Sequence, residues 1–210
     1  MRVLVLGATG ATGRHLVEQA LAQGHHVTAL VRNPAKLHRR SPNLTVVPGD
    51  VTDPLAVERA VRFQDAVLCA LGSSTPLRHD PTLVAGIHNL VEAMERLQVK
   101  RLVYLSFLGV HDGRHQLSLL GRYLVAPLLL RKVATDHARK EAIIQQSSLE
   151  WVIVRPPRLT NGRRTGAYRS GPEIQATMMV PRVSRADLAE FMLVQLNGDT
   201  YLCRTPAMMY

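Results

Sequence analysis

Apolar and polar positions follow two alternating periods along this chain. Val3 to Leu6 is a continuous apolar run, which predicts a strand buried on both faces. Ala11 to Gln23 carries apolar residues at Leu16, Ala20 and Leu21 with polar ones between, a helical spacing that stops at Gly24. Residues 26–31 and 44–50 predict a second and a third strand. Residues 53–63 open with Asp-Pro, a cap followed by proline at the first helical position, and predict a helix. Residues 65–72 predict a fourth strand, 80–98 a longer helix with the same Asp-Pro start, and 101–107 a fifth strand. After a less regular segment, 108–133, the pattern predicts a helix over 134–147 and a sixth strand over 150–157, ended by two prolines. A Ser-capped helix over 184–196 and a last strand over 200–205 complete the chain.

Strands and helices in strict turn, with near-continuous apolar strands, predict an α/β fold: a doubly wound, Rossmann-like parallel sheet covered on both faces. No repeat or linker divides the sequence, so residues 1–210 are expected to form a single domain. The apolar stretch 117–130 is broken by Gly121, Arg122 and Pro127 and is too short to span a bilayer. It reads as a small substrate-side lobe or as an ordinary buried connection.

Composition narrows the function. Hydrophobic residues make up 46% and charged residues 20%, a globular balance. Aromatics are 4%, which argues against stacking platforms for nucleic acid. Cys69 and Cys203 are too few for a disulfide framework or a four-cysteine zinc site, so no metal is expected and each reads as a small buried hydrophobe. The opening apolar run is too short for a secretory signal, and a cytoplasmic protein with no membrane contact is expected. Lys and Arg exceed Asp and Glu by 26 to 16, with clusters at 32–40, 131–140 and 155–169. That excess is a solvated basic surface, or a cleft that attracts phosphates and carboxylates.

Gly7, Gly10 and Gly13 stand three apart between the first strand and the first helix. In that context Gly7 ends the strand, Gly10 lets backbone approach a pyrophosphate, and Gly13 allows close helix–sheet packing. Thr9, Ala11 and Thr12 belong to the same loop and offer amides to the phosphates. An NAD site places an acid about 20 residues further on. Here the second strand leads instead into Arg32, Asn33 and Lys36, which points to the 2′-phosphate of NADPH, with Arg14 adding to it; the plain alternative is surface charge. Asp50 and Val51 can edge the adenine, Asp50 equally serving as a cap. Ala70, Leu71 and Gly72 can pass beneath the cofactor.

The segments GATGATGRHLVEQAL, LVRNPAKL, VVPGDVTDP, DAVLCALGS and WVIVRPPRL resemble the atypical short-chain dehydrogenase/reductase superfamily over nearly the whole chain. VYLSFLGV, TDHARKEAII, VRPPRLTNG with TGAYR, and SRADLAEFML are similar to its NAD(P)H-binding group that contains flavin reductase, also called biliverdin-IXβ reductase. The resemblance implies a serine beside the nicotinamide, matched by Ser106, and a cofactor contact near Pro156. Arg158 stands where the group has a histidine, and so can hold an anionic substrate group instead. His137 and Lys140 either edge the substrate pocket or line a solvated helix face. Arg155 is a cofactor-side contact or a buried ion-pair partner.

The superfamily's usual Tyr with Lys four residues later is absent: Tyr104, Tyr123, Tyr168 and Tyr201 all lack the lysine. Alcohol–ketone exchange then lacks its acid/base, whereas flavin reduction needs mainly position. The sequence thus predicts an NADPH-dependent, monomeric reductase of flavins (FMN, riboflavin) or a related anionic or aromatic acceptor such as a biliverdin-type tetrapyrrole. It leaves open an NADP(H)-binding redox sensor without turnover, and an epimerase or isomerase relative.

Overall fold

A computed structural model of the chain describes residues 1–72, 81–110 and 131–210. Six strands form one parallel sheet: β1 (Arg2–Leu6), β2 (His26–Val31), β3 (Leu44–Pro48), β4 (Ala66–Cys69), β5 (Arg101–Leu105) and β6 (Glu150–Val154). Their order is β3-β2-β1-β4-β5-β6, so the chain reverses direction across the sheet between β1 and β4. Loops at the carboxyl ends of the strands diverge there and leave a crevice.

Each apolar strand serves both faces by alternation. Val3, Val5, Leu68, Val103 and Val152 join one core with α1 (Ala11–Ala22) and the final helix. Leu4, Leu6, Val67, Leu102 and Ile153 join the other, under α2 (Pro54–Val61), α3 (Pro81–Arg96) and α4 (Arg131–Gln145). The Asp53 carboxylate accepts from the Leu55 amide and Pro54 stands at the first helical position, so α2 starts as its sequence dictates.

Beyond β6 the chain departs from the regular pattern. Short strands β7 (Arg158–Thr160) and β9 (Arg182–Ser184) pair in parallel, while β8 (Arg169–Gly171) and β10 (Ala207–Met209) pair antiparallel. The strand expected over 200–205 is instead a turn in which Cys203 adopts a φ of 53°, and the last strand is β10. The turn is held because the Cys203 amide donates to the Trp151 carbonyl at 2.8 Å, joining it to β6. Cys203 is therefore exposed rather than buried, while Cys69 lies in the core with its thiol pushed up to about 12 by burial. The 117–130 segment lies outside the described residues.

The last helix, α5 (Arg185–Val194), starts at an acidic hub. Ser184 caps it, accepting from the Asp187 amide and donating to the Asp187 carboxylate. That carboxylate also accepts from the Tyr210 hydroxyl, the Thr165 amide and hydroxyl, and the Gly166 amide. It ties the 161–168 loop and the C-terminal residue to one helix start. Burial pushes the Asp187 carboxyl up, but the bonds from Tyr210, Gly166 and Thr165 outweigh it and hold the group below its ordinary value.

Replacing Asp187 by Asn should lower stability by about 2–3 kcal/mol, the scale of hydrogen bonds to a charged group lost at a buried position. Because the folded-state pKa is depressed, this stabilisation is present above the ordinary 3.8 and is lost as pH falls through the lower folded value. Urea unfolding at neutral pH and at pH about 3 should therefore show a smaller gap between wild type and Asp187→Asn in acid; an unchanged gap would contradict the assignment.

Candidate functional site

Most of the expected cofactor residues follow the carboxyl ends of the sheet strands, beside the β1/β4 reversal. Gly7 takes a φ of +79°, and a Cβ there would lie 2.4 Å from the Ala70 carbonyl oxygen. A Cβ on Gly13 would lie 2.0 Å from the Gly7 oxygen. These two glycines are required by the fold itself. Gly10 differs: its φ is −74°, open to any residue, and among the described residues its Cβ would meet a single neighbour, the Gly7 oxygen, at 3.1 Å. The space beside Gly10 is thus left clear, as approach by a ligand requires. The first turn of α1 contains no acidic side chain, so its positive end and the amides of Ala11 and Thr12 face the crevice without internal neutralisation. Thr12 is buried, while Ala11 is exposed.

The loop after β2 forms one wall. Arg32, Lys36 and Arg14 are all exposed. Arg14 donates from Nε to the Thr9 carbonyl at 3.1 Å and from its guanidinium to the Lys36 carbonyl at 3.4 Å, linking the glycine loop to this wall. Arg14 is thereby engaged as a strut between the two loops. Arg32 Nε lies 4.0 Å from the Asp50 carboxylate, with its own side chain 80% exposed and ready to turn toward an anion. Asp50 accepts from the Thr52 amide and hydroxyl, both at 2.9 Å. The amide bond chiefly, against burial and with help from the hydroxyl and Arg32, holds its carboxyl below the ordinary value. Asp53, not Asp50, caps α2.

Val51 is placed by two residues that no motif singles out. Asn89 donates to the Val51 carbonyl at 3.0 Å, and a Cβ on Gly86 would lie 2.6 Å from the Val51 side chain. Ala70 is tied to β1 by a 2.9 Å bond from its amide to the Leu6 carbonyl. Leu71 packs against the core beneath, and among the described residues nothing crowds Gly72.

At the ends of β5 and β6 stands a buried polar cluster. Ser106 is held by its amide, which donates to the Val154 carbonyl at 2.8 Å. Its hydroxyl donates to Glu141, a fully buried carboxylate of α4. Arg155 grips the same carboxylate through Nε at 3.2 Å and through its terminal nitrogen at 2.6 Å. Arg155 is thus the buried ion-pair partner rather than a plain cofactor-side contact. Pro156, buried next to it, accepts from the Leu108 amide at 3.0 Å. His137, half-buried on α4, has Nδ1 3.4 Å from the Ser106 oxygen and its ring 6.2 Å from that of Phe107. Burial, then the nearby Lys140 charge, drive the His137 pKa down to about 3 against the opposing pull of Asp136. Lys140 itself is buried, so it does not line a solvated helix face. Glu141 went unrecognised in the sequence because an acid in a Lys/Arg-rich helix reads as surface; Arg155, three residues before β7, was the available hint.

Tyr104 lies in the core behind this cluster with its hydroxyl unpartnered among the described residues. Burial above all, then Cys69 and Glu141, push its pKa well above the ordinary range. It cannot act as a phenolate shuttle. Arg158 stands apart from the cluster, exposed at the start of β7, directly opposite the equally exposed Arg182 of β9. Two like charges in register repel each other unless an anion lies between them.

Among the described residues no group of three or more His, Cys, Asp or Glu side chains is arranged to hold a metal, and no helix is long and apolar enough to cross a membrane. The sequence matches a family described as NAD(P)H-binding over residues 7–199. An uncharacterized chloroplastic protein of Arabidopsis thaliana is 35% identical over 202 residues, 90% of this chain and 69% of that protein. Photosystem II assembly factor Ycf39 of Synechocystis is 31% identical over 160 residues, 73% of this chain; the matched part is 44% of Ycf39, so the chain spans less than half of that relative. Among solved structures, the oxidoreductase ylbE of Lactococcus lactis superposes with a TM-score of 0.83 at 19% identity, covering 99% of this chain and 90% of that one. ChuY, an anaerobillin reductase of Escherichia coli O157:H7, superposes with a TM-score of 0.82 at 21% identity, covering 99% and 96%. At those identities the likeness is one of fold. The family match over nearly the whole chain carries the assignment: this chain belongs to the NAD(P)H-binding family.

Proposed function

We propose that this chain is an NADPH-dependent reductase of flavins, or of a related conjugated acceptor such as a biliverdin-type tetrapyrrole. The observation that carries the reading is the clear space at Gly10 beside the un-neutralised start of α1, with Ser106 at the far end of the same crevice. In this reading the amides of the Gly7–Gly13 loop hold the pyrophosphate, Arg32 and Lys36 face the 2′-phosphate, and Asp50 and Val51 edge the adenine. Ala70, Leu71 and Gly72 form the floor, while Ser106 and Pro156 border the nicotinamide. Bound NADPH supplies a hydride. The chain's task is then to bind, orient and exclude competing geometries.

The chemistry around Ser106 favours an acceptor that needs no protein proton donor. His137 is held neutral, and Tyr104 is buried in the core. An alcohol–ketone exchange or an epimerisation would need an acid/base of the Tyr-Lys type. A conjugated acceptor can take its proton from solvent. Arg158 and Arg182, side by side, suit a phosphate or carboxylate on that acceptor. A single domain, a monomeric state and a cytoplasmic location belong to the same reading.

Gly10→Val should keep the fold at a cost of about 1 kcal/mol, since glycine is the better cap, yet lose NADPH because the branched side chain fills the cleared space. A thermal melt beside an NADPH fluorescence titration checks both; retained binding in the folded variant places the phosphates elsewhere.

Arg32→Asp should weaken NADPH by about 1.5–3 kcal/mol, roughly one to two decades in affinity, and leave NADH unaffected or improved. Calorimetric titration of both cofactors decides this; equal affinities in the wild type would remove the 2′-phosphate from the account.

NADPH oxidation should be stimulated by riboflavin and FMN, and Arg158→Ala should raise KM for FMN about tenfold while sparing riboflavin, which lacks the phosphate. Tight NADPH binding with no flavin-stimulated oxidation would favour a redox sensor without turnover.

A further inference from the structure

The Ser106 hydroxyl has one proton, and its position is dictated by its partners. Glu141 is fully buried and gripped by Arg155 through two nitrogens, which keeps its charge paired. An ionised carboxylate accepts and cannot donate. The hydroxyl proton of Ser106 is therefore committed to Glu141. Ser106 then has no proton to offer His137, whose Nδ1 lies 3.4 Å from its oxygen. The contact is favourable only if Nδ1 carries the ring proton and donates.

We propose that Glu141 is a positioning residue that fixes Ser106 as a hydrogen-bond acceptor and His137 as its Nδ1–H tautomer, so that the site offers two acceptors, Ser106 Oγ and His137 Nε2, to a ligand bringing its own N–H groups. This deepens the reductase reading and rests on it for the identity of the ligand. His137 suits the role because burial, together with Lys140 and against Asp136, keeps the ring neutral, leaving a lone pair on Nε2. Among the described residues no partner engages Nε2. Among the described residues Ser106 and Phe107 lie against the ring, with the Lys140 and Asp136 charges nearby.

The complementary ligand chemistry is an amide- or imide-like N–H. The carboxamide of a nicotinamide carries such a group, and so do the imide N–H of a flavin ring and the lactam N–H of a linear tetrapyrrole. A ketone or aldehyde lacks one, and two acceptors facing its oxygen would repel it. The polar pair therefore selects for nitrogen heterocycles over simple carbonyl compounds.

The decisive experiment reads the tautomer directly. Long-range proton–nitrogen NMR of the wild-type protein, with the His137 ring assigned from the His137→Gln difference, should show the proton on Nδ1. Glu141→Gln leaves Arg155 buried without its charge partner and can fail to fold. The double variant Glu141→Met with Arg155→Met removes both charges at similar volume, which proteins tolerate well. In it the Ser106 proton is released to donate to Nδ1, and the ring proton should move to Nε2. A wild-type Nε2–H tautomer, or an unchanged Nδ1–H tautomer in the folded double variant, overturns the proposal. This readout needs no turnover, so it stands separate from any failure of flavin reduction. Where flavin is reduced, blocking its imide nitrogen with a methyl group should lower kcat/KM about tenfold in the wild type and much less in the double variant. Equal loss in both would detach Glu141 from ligand selection.

Discussion

The glycine loop meets helix α1 on one side and the end of β4 on the other at distances that two missing side chains permit. A Cβ on Gly13 would sit 2.0 Å from the Gly7 oxygen, and one on Gly7 would collide with the backbone after β4. This contact sets the position of α1 against the sheet and brings its positive end over the β1/β4 reversal. Every feature of the crevice is measured from that point: the amides of the loop, the wall carrying Arg32, the floor formed by Ala70 and Leu71. Gly10 shares the spacing of the other two but not their constraint. Its side of the loop is clear because the fold leaves it so, and the physical distinction between the three glycines separates scaffold from site.

At the other end of the crevice the constraint is electrostatic. Glu141 and Arg155 are taken out of water together, which costs several kcal/mol per ion unless geometry and hydrogen bonds return it. Two nitrogen–oxygen contacts and the Ser106 hydroxyl satisfy the carboxylate. A pair of apolar residues would hold the strand and helix together at least as well. What the ion pair adds is direction: it turns the Ser106 hydroxyl proton toward the carboxylate. The neutral His137 beside it follows from the same burial.

The sheet was legible from the sequence because its strands are largely apolar runs and α2, α3 and α5 open on Asp-Pro or Ser in the sequence. The misjudged boundaries share one cause. The expected strands ran to 50, 72, 107 and 157, whereas β3 to β6 stop at Pro48, Cys69, Leu105 and Val154. The surplus residues include Asp50, Ala70, Leu71, Ser106, Arg155 and Pro156, which follow the strands without a break in the pattern and leave the sheet at its carboxyl edge. Short pairings such as β7 with β9 had no signal, since three residues carry no period. Cys203 was expected inside, but the turn that exposes it depends on Trp151, 52 positions away. Glu141 and Asn89 were hidden for a similar reason: their partners are distant in sequence and their types are ordinary on helix surfaces. The family resemblance supplied Ser106; geometry supplied the carboxylate that holds it.

The account turns on one placement, a dinucleotide lying along the carboxyl edge from Arg32 to Ser106. A crystal structure of the protein with NADPH measures it directly. The expected result puts the pyrophosphate against the amides of Gly10 to Thr12, the 2′-phosphate before Arg32, and the nicotinamide carboxamide within hydrogen-bond distance of Ser106 Oγ. A pyrophosphate held away from Gly10, or a nicotinamide remote from Ser106, would contradict it.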